Sequence, residues 1–148
     1  MLKLIFRILL TGLAIFIFYS FGIGLGKTVW YRMNGTVVEG RVSGFLAGRN
    51  SPSVQMEPTG VRNGKLKARR PVYTYPVAEN ATDSLTSRSG VGTLFTFSQF
   101  SLNERVTVVF DPDNPGDSYI FSGGLLLSSL LLILFGLYVL YMGVVGKS

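Results

Sequence analysis

Two long apolar runs without a charged residue enclose the middle of this chain. The first occupies residues 8–26 and the second lies within residues 118–146. At about 1.5 Å of rise per residue, a helix of about 19 residues nearly crosses a hydrocarbon layer of about 30 Å. The chain is 47% hydrophobic and only 15% charged, which is too apolar for an ordinary soluble domain of this size. The sequence therefore predicts two transmembrane helices.

The first run also has some features of a secretory signal peptide. Lys3 and Arg7 resemble the charged region of such a peptide, but the apolar segment is longer than usual and no A-x-A cleavage site follows it. We therefore expect an uncleaved anchor. A buried helix of a soluble core is disfavoured, because two such helices would overwhelm so short a middle segment.

The residues between the runs show the period-two alternation of a β-domain. Gly, Asn, Asp, Ser and Pro separate short apolar runs at residues 36–45, 71–78, 92–100, 105–110 and 118–121. The predicted fold is a membrane α+β protein, in which two helices flank an antiparallel barrel or sandwich of about five strands. The predicted boundaries are a helix at 1–27, the β-domain at 28–121 and a helix at 122–148.

Residues 47–70 show neither helical nor strand periodicity and are rich in turn residues. We predict a long exposed loop there, between the first two strands.

The charges on the two tails indicate an orientation. Lys3 and Arg7 precede the first span, Lys147 follows the second, and neither tail carries an acid. Basic residues in the middle segment argue the other way, but loop charge is a reliable guide only in loops shorter than roughly 60 residues. We expect a two-span protein of a bacterial inner membrane, with cytoplasmic termini and a periplasmic β-domain.

The residue inventory excludes most familiar catalytic designs. The chain has no Cys and no His, which excludes thiolate zinc sites, Cys nucleophiles and the Ser-His-Asp triad. No cofactor, metal or nucleic-acid motif is visible, and we expect a protein that is not an enzyme.

Three aspartates and an asparagine lie within residues 111–117. Pro112 and the turn-forming residues around it predict a turn between two strands. A calcium loop would need acidic oxygens at about positions 1, 3, 5 and 12, whereas this segment has prolines inside it and lacks that spacing. We favour the turn over a weak cation site or a pair of catalytic carboxylates.

The order of spans, strands and turn resembles that of a bacterial membrane-protein family, domain of unknown function 3592. The matching residues are Gly40, Val42, Tyr75, Pro76, Val77, Val106, Val108, Phe110, Asp111, Pro112, Asn114, Pro115 and Gly136. Asn103 stands where the family usually has Gly, and Phe110 replaces its usual Tyr. The resemblance implies only the architecture, two spans around a small β-domain, because the family has no assigned common activity.

Glycines at regular spacing indicate helix packing. Gly22 and Gly26 have the G-x-x-x-G spacing that lets helices approach closely, although a glycine-softened exit from the membrane fits equally well. Gly136 and Gly143 lie seven residues apart and form a second seam, which either contacts a partner or joins the two helices of this chain.

A basic stretch lies inside the predicted loop. Lys65, Lys67, Arg69 and Arg70, with Arg62 nearby, predict a patch for anionic lipid or an acidic partner, although a solvated loop has the same composition.

These features favour a non-enzymatic accessory or scaffold subunit of a larger membrane protein complex. It would bind a larger integral membrane protein through its helices and β-domain and contact membrane lipids, with no nucleic acid involved. The alternative is a small homo-oligomeric transporter or channel. Its polar lining would have to come from Thr11, Ser20, Ser128 and Ser129.

Overall fold

The computed structural model describes residues 2–48, 51, 53–77, 84–88 and 100–144. Along these residues the elements are α1 Leu2–Ile17, a π-helical segment Phe18–Gly22, α2 Ile23–Asn34, β1 Thr36–Leu46, β2 Val54–Gln55, β3 Thr59–Arg62, β4 Lys65–Ala68, β5 Arg70–Pro76, β6 Ser84–Arg88, β7 Arg105–Asp111, β8 Asn114–Phe121 and α3 Gly123–Val144.

Two long apolar helices flank the sheet, as predicted. α1, the π-helical segment and α2 form one continuous helix, and α3 returns antiparallel to α1. The stretches Leu4–Asn34 and Gly123–Val144 are each long and apolar enough to cross a membrane. Most of their large side chains point away from the rest of the chain.

Six of the described strands form a curled antiparallel sheet with the order β6-β5-β1-β7-β8, in which β2 pairs with the end of β1. β1 is central because it is long enough to pair with both β5 and β7. Alternate residues of β1 are buried, as the period-two pattern requires. The strand predicted at residues 92–100 lies outside the described residues, apart from Phe100.

Two tyrosines on β5 stabilise the curled shape of the sheet by hydrogen bonds to β8. The Tyr73 hydroxyl donates to the carbonyl of Ser118 at 2.8 Å, and the Tyr75 hydroxyl donates to the carbonyl of Pro115. Both acceptors lie on β8, and β1 and β7 separate β5 from β8 in the sheet. These bonds can therefore form only across the interior of a curled sheet.

We predicted a long exposed loop at residues 47–70, but this segment contains three short strands. β2 lies in it, and β3 and β4 form a hairpin of their own. Asn63 and Gly64 connect the two strands with φ of 54° and 70°, the left-handed pair that a two-residue hairpin turn requires. This hairpin is nevertheless exposed, as we predicted for the segment: almost every one of its residues is exposed or half-buried.

The first helix continues to Asn34 and does not end at the predicted boundary, residue 27. It continues because Thr28 and Tyr31 are buried against the sheet. The helix also runs through Gly22 and Gly26, so the chain does not leave the helix at these glycines. Gly35 ends it: its N–H donates to the carbonyl of Tyr31 at 2.9 Å, and the chain then enters β1.

The turn predicted in the aspartate-rich segment is confirmed. β7 and β8 form a hairpin in which Asp111 is opposite Asn114. The backbone N–H of Asp113 donates to the Asp111 carboxylate at 3.1 Å, the local bond typical of aspartate in turns.

Asn103, before β7, has a φ of 63°. Glycine and asparagine adopt this left-handed conformation most readily. Asn103 can therefore adopt the left-handed backbone conformation at the position where the family usually has Gly.

Candidate functional site

The first helix is fastened to the sheet by a polar cluster around Asp117, which lies on β8. One oxygen of its carboxylate, Oδ2, accepts hydrogen bonds from Lys27 Nζ at 2.6 Å and from the Tyr31 hydroxyl at 2.8 Å. Lys27 and Tyr31 lie four residues apart on α2, so they share one face of the helix. Burial acts to raise the pKa of Asp117, but the hydrogen bonds from Lys27 and Tyr31 outweigh it and hold that pKa below its ordinary value.

Aromatic contacts extend this cluster along β8. The rings of Tyr31 and Tyr119 lie 6.0 Å apart, and the Arg32 guanidinium lies 5.2 Å from the ring centre of Phe121. Burial, and then the negative charge of Asp117, raise the pKa of Tyr119. The hydrogen bonds from Lys27 and Tyr31 to Asp117 anchor α2 to β8.

The sequence pattern did not reveal this cluster. Lys27 and Asp117 are 90 residues apart, and the aspartate-rich segment that contains Asp117 predicts only a turn. The one local signal was the spacing of Lys27 and Tyr31 on one helix face.

Gly136 and Gly143 join the two helices of this chain. A Cβ added to Gly136 would lie 3.0 Å from Ile17 Cγ2, and one added to Gly143 would lie 3.2 Å from Thr11 Oγ1. α3 therefore lies close against α1 along this seam, which is one of the two alternatives left open by the sequence.

Gly22 and Gly26 are open. A Cβ added at either position would meet no atom within 4 Å, so neither glycine packs against the described part of this chain. A helix contact at these glycines stays a prediction.

Most of the hydroxyl groups in the spans face inward. Ser128 and Ser129 are buried, and Ser128 donates to the carbonyl of Leu125 at 3.0 Å. Thr11 lies at the contact with Gly143. Of the four hydroxyl residues considered for a pore, only Ser20 is exposed.

The predicted basic patch does not form one uniform surface. Lys65 and Lys67 are exposed on β4, whereas Arg69 is half-buried and its Nη1 donates to the carbonyl of Glu57 at 3.0 Å. Arg70 has entered β5 and is also half-buried. Arg62 lies directly opposite Lys65 in the β3–β4 hairpin, so it is a closer neighbour of the lysines than Arg70 is.

In the described ranges, no group of three or more acidic side chains is placed to hold a metal ion. Asp111 and Asp113 are joined by the turn hydrogen bond, and Asp117 is engaged with Lys27 and Tyr31.

Comparison with known proteins gives one match. No curated protein and no solved structure matches the chain. One family model matches residues 33–125, from the end of α2 through the sheet to the start of α3. Because this match covers more than half of the sequence, the chain belongs to the family described as a domain of unknown function (DUF3592).

Proposed function

We propose that this protein is a non-enzymatic accessory or scaffold subunit of a larger integral membrane complex. The observation that carries the proposal is that two glycines of its helices are packed within the chain and two others are open. Gly136 and Gly143 close the two helices on each other, whereas Gly22 and Gly26 leave a shallow face with no occupant from the described chain. Small residues let a second helix approach closely in lipid, where apolar side chains alone give no preference for protein over lipid.

Membrane insertion of both helices is part of this proposal. Large apolar side chains cover the outer surface of the helix pair, and burying such surface in water-free surroundings is worth about 25 cal/mol per Å². They include Leu4, Ile5, Phe6, Ile8, Leu9, Ile15, Phe16, Leu127, Leu131, Leu134 and Phe135. The basic tails support an orientation with the termini in the cytoplasm and the β-domain in the periplasm of a bacterial inner membrane.

Tyr19 supports a partner on the same part of the helix. It precedes Gly22 by three residues, it is 73% exposed, and its hydroxyl forms no hydrogen bond to a described residue. Tyr19 lies eight residues before Lys27, or about 12 Å along the helix axis, which is deep in the predicted span. A hydroxyl at that depth is stabilised by an acceptor on a neighbouring helix.

The inward-facing hydroxyls favour the accessory role over a homo-oligomeric pore. Because Thr11, Ser128 and Ser129 lie at or near the contact between the chain's own helices, an assembly that placed the outer surfaces around a pore would give it a mostly apolar lining, with Ser20 and the exposed tyrosines as its polar groups. Selective pores are lined by carbonyl, charged or hydroxyl groups.

Affinity purification from the native membrane tests this proposal. The tagged full chain is isolated in mild detergent, and the proteins that co-elute are identified and counted by mass spectrometry. We expect a stoichiometric larger membrane protein, and we expect the variant Gly22→Leu/Gly26→Leu to lose it.

Gly12→Leu is the matched control. Gly12 lies on the same helix and is also open, so Gly12→Leu adds one leucine side chain at another place on the helix and should retain the partner. A pure homo-oligomer of fixed size would contradict the accessory role and favour the pore. A partner retained in full by Gly22→Leu/Gly26→Leu would contradict binding at this face.

A further inference from the structure

A hollow of about 310 Å³ lies between the β3–β4 hairpin and the end of β1. The register of the hairpin explains why cations border it. Gly60 is opposite Lys67 and Arg62 is opposite Lys65, and directly opposed residues of an antiparallel pair share a face. Arg62 and Lys67 are therefore on the same face as Gly60. The residues lining the hollow are Ala47, Gly60, Val61, Arg62, Lys67, Ala68 and Arg69.

Arg69 is held in place at the hollow. Only 17% of its side chain is exposed, and its Nη1 donates to the carbonyl of Glu57 at 3.0 Å. Its guanidinium lies over Gly60, where an added Cβ would come within 2.7 Å of Nη2. The absence of a side chain at Gly60 thus makes the room that the Arg69 guanidinium occupies.

The charges around the hollow are mostly positive. Among the described residues, Arg62, Lys67 and Arg69 contribute three positive charges, and Glu57, which lies beside Arg69, contributes one negative charge, which leaves a net charge of +2. The Glu57 side chain is 82% exposed and its Oε2 lies 4.0 Å from Arg69 Nη1. Neither Arg62 nor Lys67 forms an ion pair with any residue in the described ranges.

We propose that this hollow binds a phosphate ester, carried either on a lipid headgroup or on a soluble small molecule. A guanidinium can form two parallel hydrogen bonds to phosphate oxygens, and a lysine adds a mobile positive charge. The volume lies at the lower end of the range for small-ligand pockets, about 300–1,000 Å³, which admits a group of headgroup size. This site does not depend on the accessory role proposed above.

Binding measurements on the purified full chain in non-ionic detergent test the proposal. The probes are short-chain phosphatidylglycerol, short-chain phosphatidylcholine and inorganic phosphate, measured by isothermal titration calorimetry and by native mass spectrometry. We expect saturable binding of one phosphatidylglycerol or one phosphate per chain, with weaker binding of the zwitterionic phosphatidylcholine. Arg62→Gln/Lys67→Gln should weaken this binding about 30-fold, the equivalent of about 1 kcal/mol for each basic residue.

Two further variants separate a built site from general charge attraction. Arg41→Gln/Arg88→Gln removes the same charge from exposed positions on the main sheet and should change binding little. Gly60→Ala removes no charge but displaces the Arg69 guanidinium, and it should also weaken binding.

The competition between probes identifies the source of the phosphate. Phosphatidylglycerol binding that inorganic phosphate does not displace indicates a lipid headgroup, whereas binding of inorganic phosphate alone indicates a soluble ligand. The proposal is overturned if no probe prefers the wild type over Arg62→Gln/Lys67→Gln. It is equally overturned if Arg41→Gln/Arg88→Gln weakens binding as much.

Discussion

Replacing Tyr73 by Phe removes one hydroxyl from the interior of the curled sheet. The Tyr73 side chain is 0% exposed, and its hydroxyl lies 2.8 Å from the Ser118 carbonyl oxygen and 3.0 Å from the Ser118 hydroxyl. Leaving buried polar groups without a partner costs about 1–3 kcal/mol. We expect the free energy of unfolding at neutral pH to fall by this amount. For a domain of this size, each kcal/mol lowers the melting temperature by about 4–8 °C.

The difference in the free energy of unfolding between wild type and Tyr73→Phe should become smaller at high pH. Burial raises the pKa of Tyr73 to about 12, against a weaker lowering effect of the Ser118 hydroxyl, whereas the pKa of an unfolded tyrosine is about 10. Because the folded pKa is the higher one, the stability that depends on this proton is fully present below about pH 10 and is lost between about pH 10 and about pH 12. Over this pH range the wild type should lose about 3 kcal/mol of its free energy of unfolding. Tyr73→Phe has no hydroxyl to deprotonate at this position, so it should not show this loss.

Urea unfolding of the full chain in detergent, followed by circular dichroism of the sheet, measures this difference between about pH 7 and about pH 12. Tyr138→Phe is the control, because it removes the same hydroxyl from a side chain that is 60% exposed and should leave the free energy unchanged. A gap between wild type and Tyr73→Phe that stays constant over the alkaline range would refute the reasoning.

Three further predictions concern the joints of the fold. Asn103→Val should lower the free energy of unfolding by about 1–2 kcal/mol in urea titrations, because a β-branched residue disfavours a φ of 63°, while Asn103→Gly should be tolerated. Because the pKa of Asp117 is lowered in the folded protein, its ionised carboxylate stabilises the fold above about pH 4. This stabilisation is lost as the pH falls further. Asp117→Asn should therefore flatten the acid limb of stability measured against pH. In Gly35→Ala the new methyl would clash with the Phe110 carbonyl oxygen on β7 and would lie 2.8 Å from the Tyr31 carbonyl oxygen. Faster amide hydrogen exchange at the end of α2 should follow, with a loss of about 1–3 kcal/mol.

The parts of the fold that the sequence predicts are those whose signal is local. The two apolar runs, the alternating strands and the turn around Pro112 each follow from a short window of residues. The β3–β4 hairpin has a local signal too, the Asn63-Gly64 pair between two short strands. The high content of turn residues in the surrounding segment hides this signal.

The candidate sites depend on contacts that no short window contains. The extension of the first helix to Asn34 depends on the burial of Thr28 and Tyr31 against a sheet formed largely by later residues. The partner of Lys27 lies 90 residues away. Which glycines are open depends on how α3 is rotated against α1, and the spacing of Gly136 and Gly143 is compatible with either an internal or an external contact.

The position of the Asp117 cluster determines how a contact in the membrane would reach the β-domain. Gly26 is adjacent to Lys27, so a helix seated at Gly26 would lie next to the residue that binds Asp117 on β8. The same strand enters α3 after a single residue, Ser122. Because β8 is fixed to α2 by side chains and to α3 by the chain itself, the sheet cannot turn about one helix without disturbing its attachment to the other. A partner bound at the open glycines would therefore meet a β-domain in a fixed orientation, which is the property that a scaffold subunit requires.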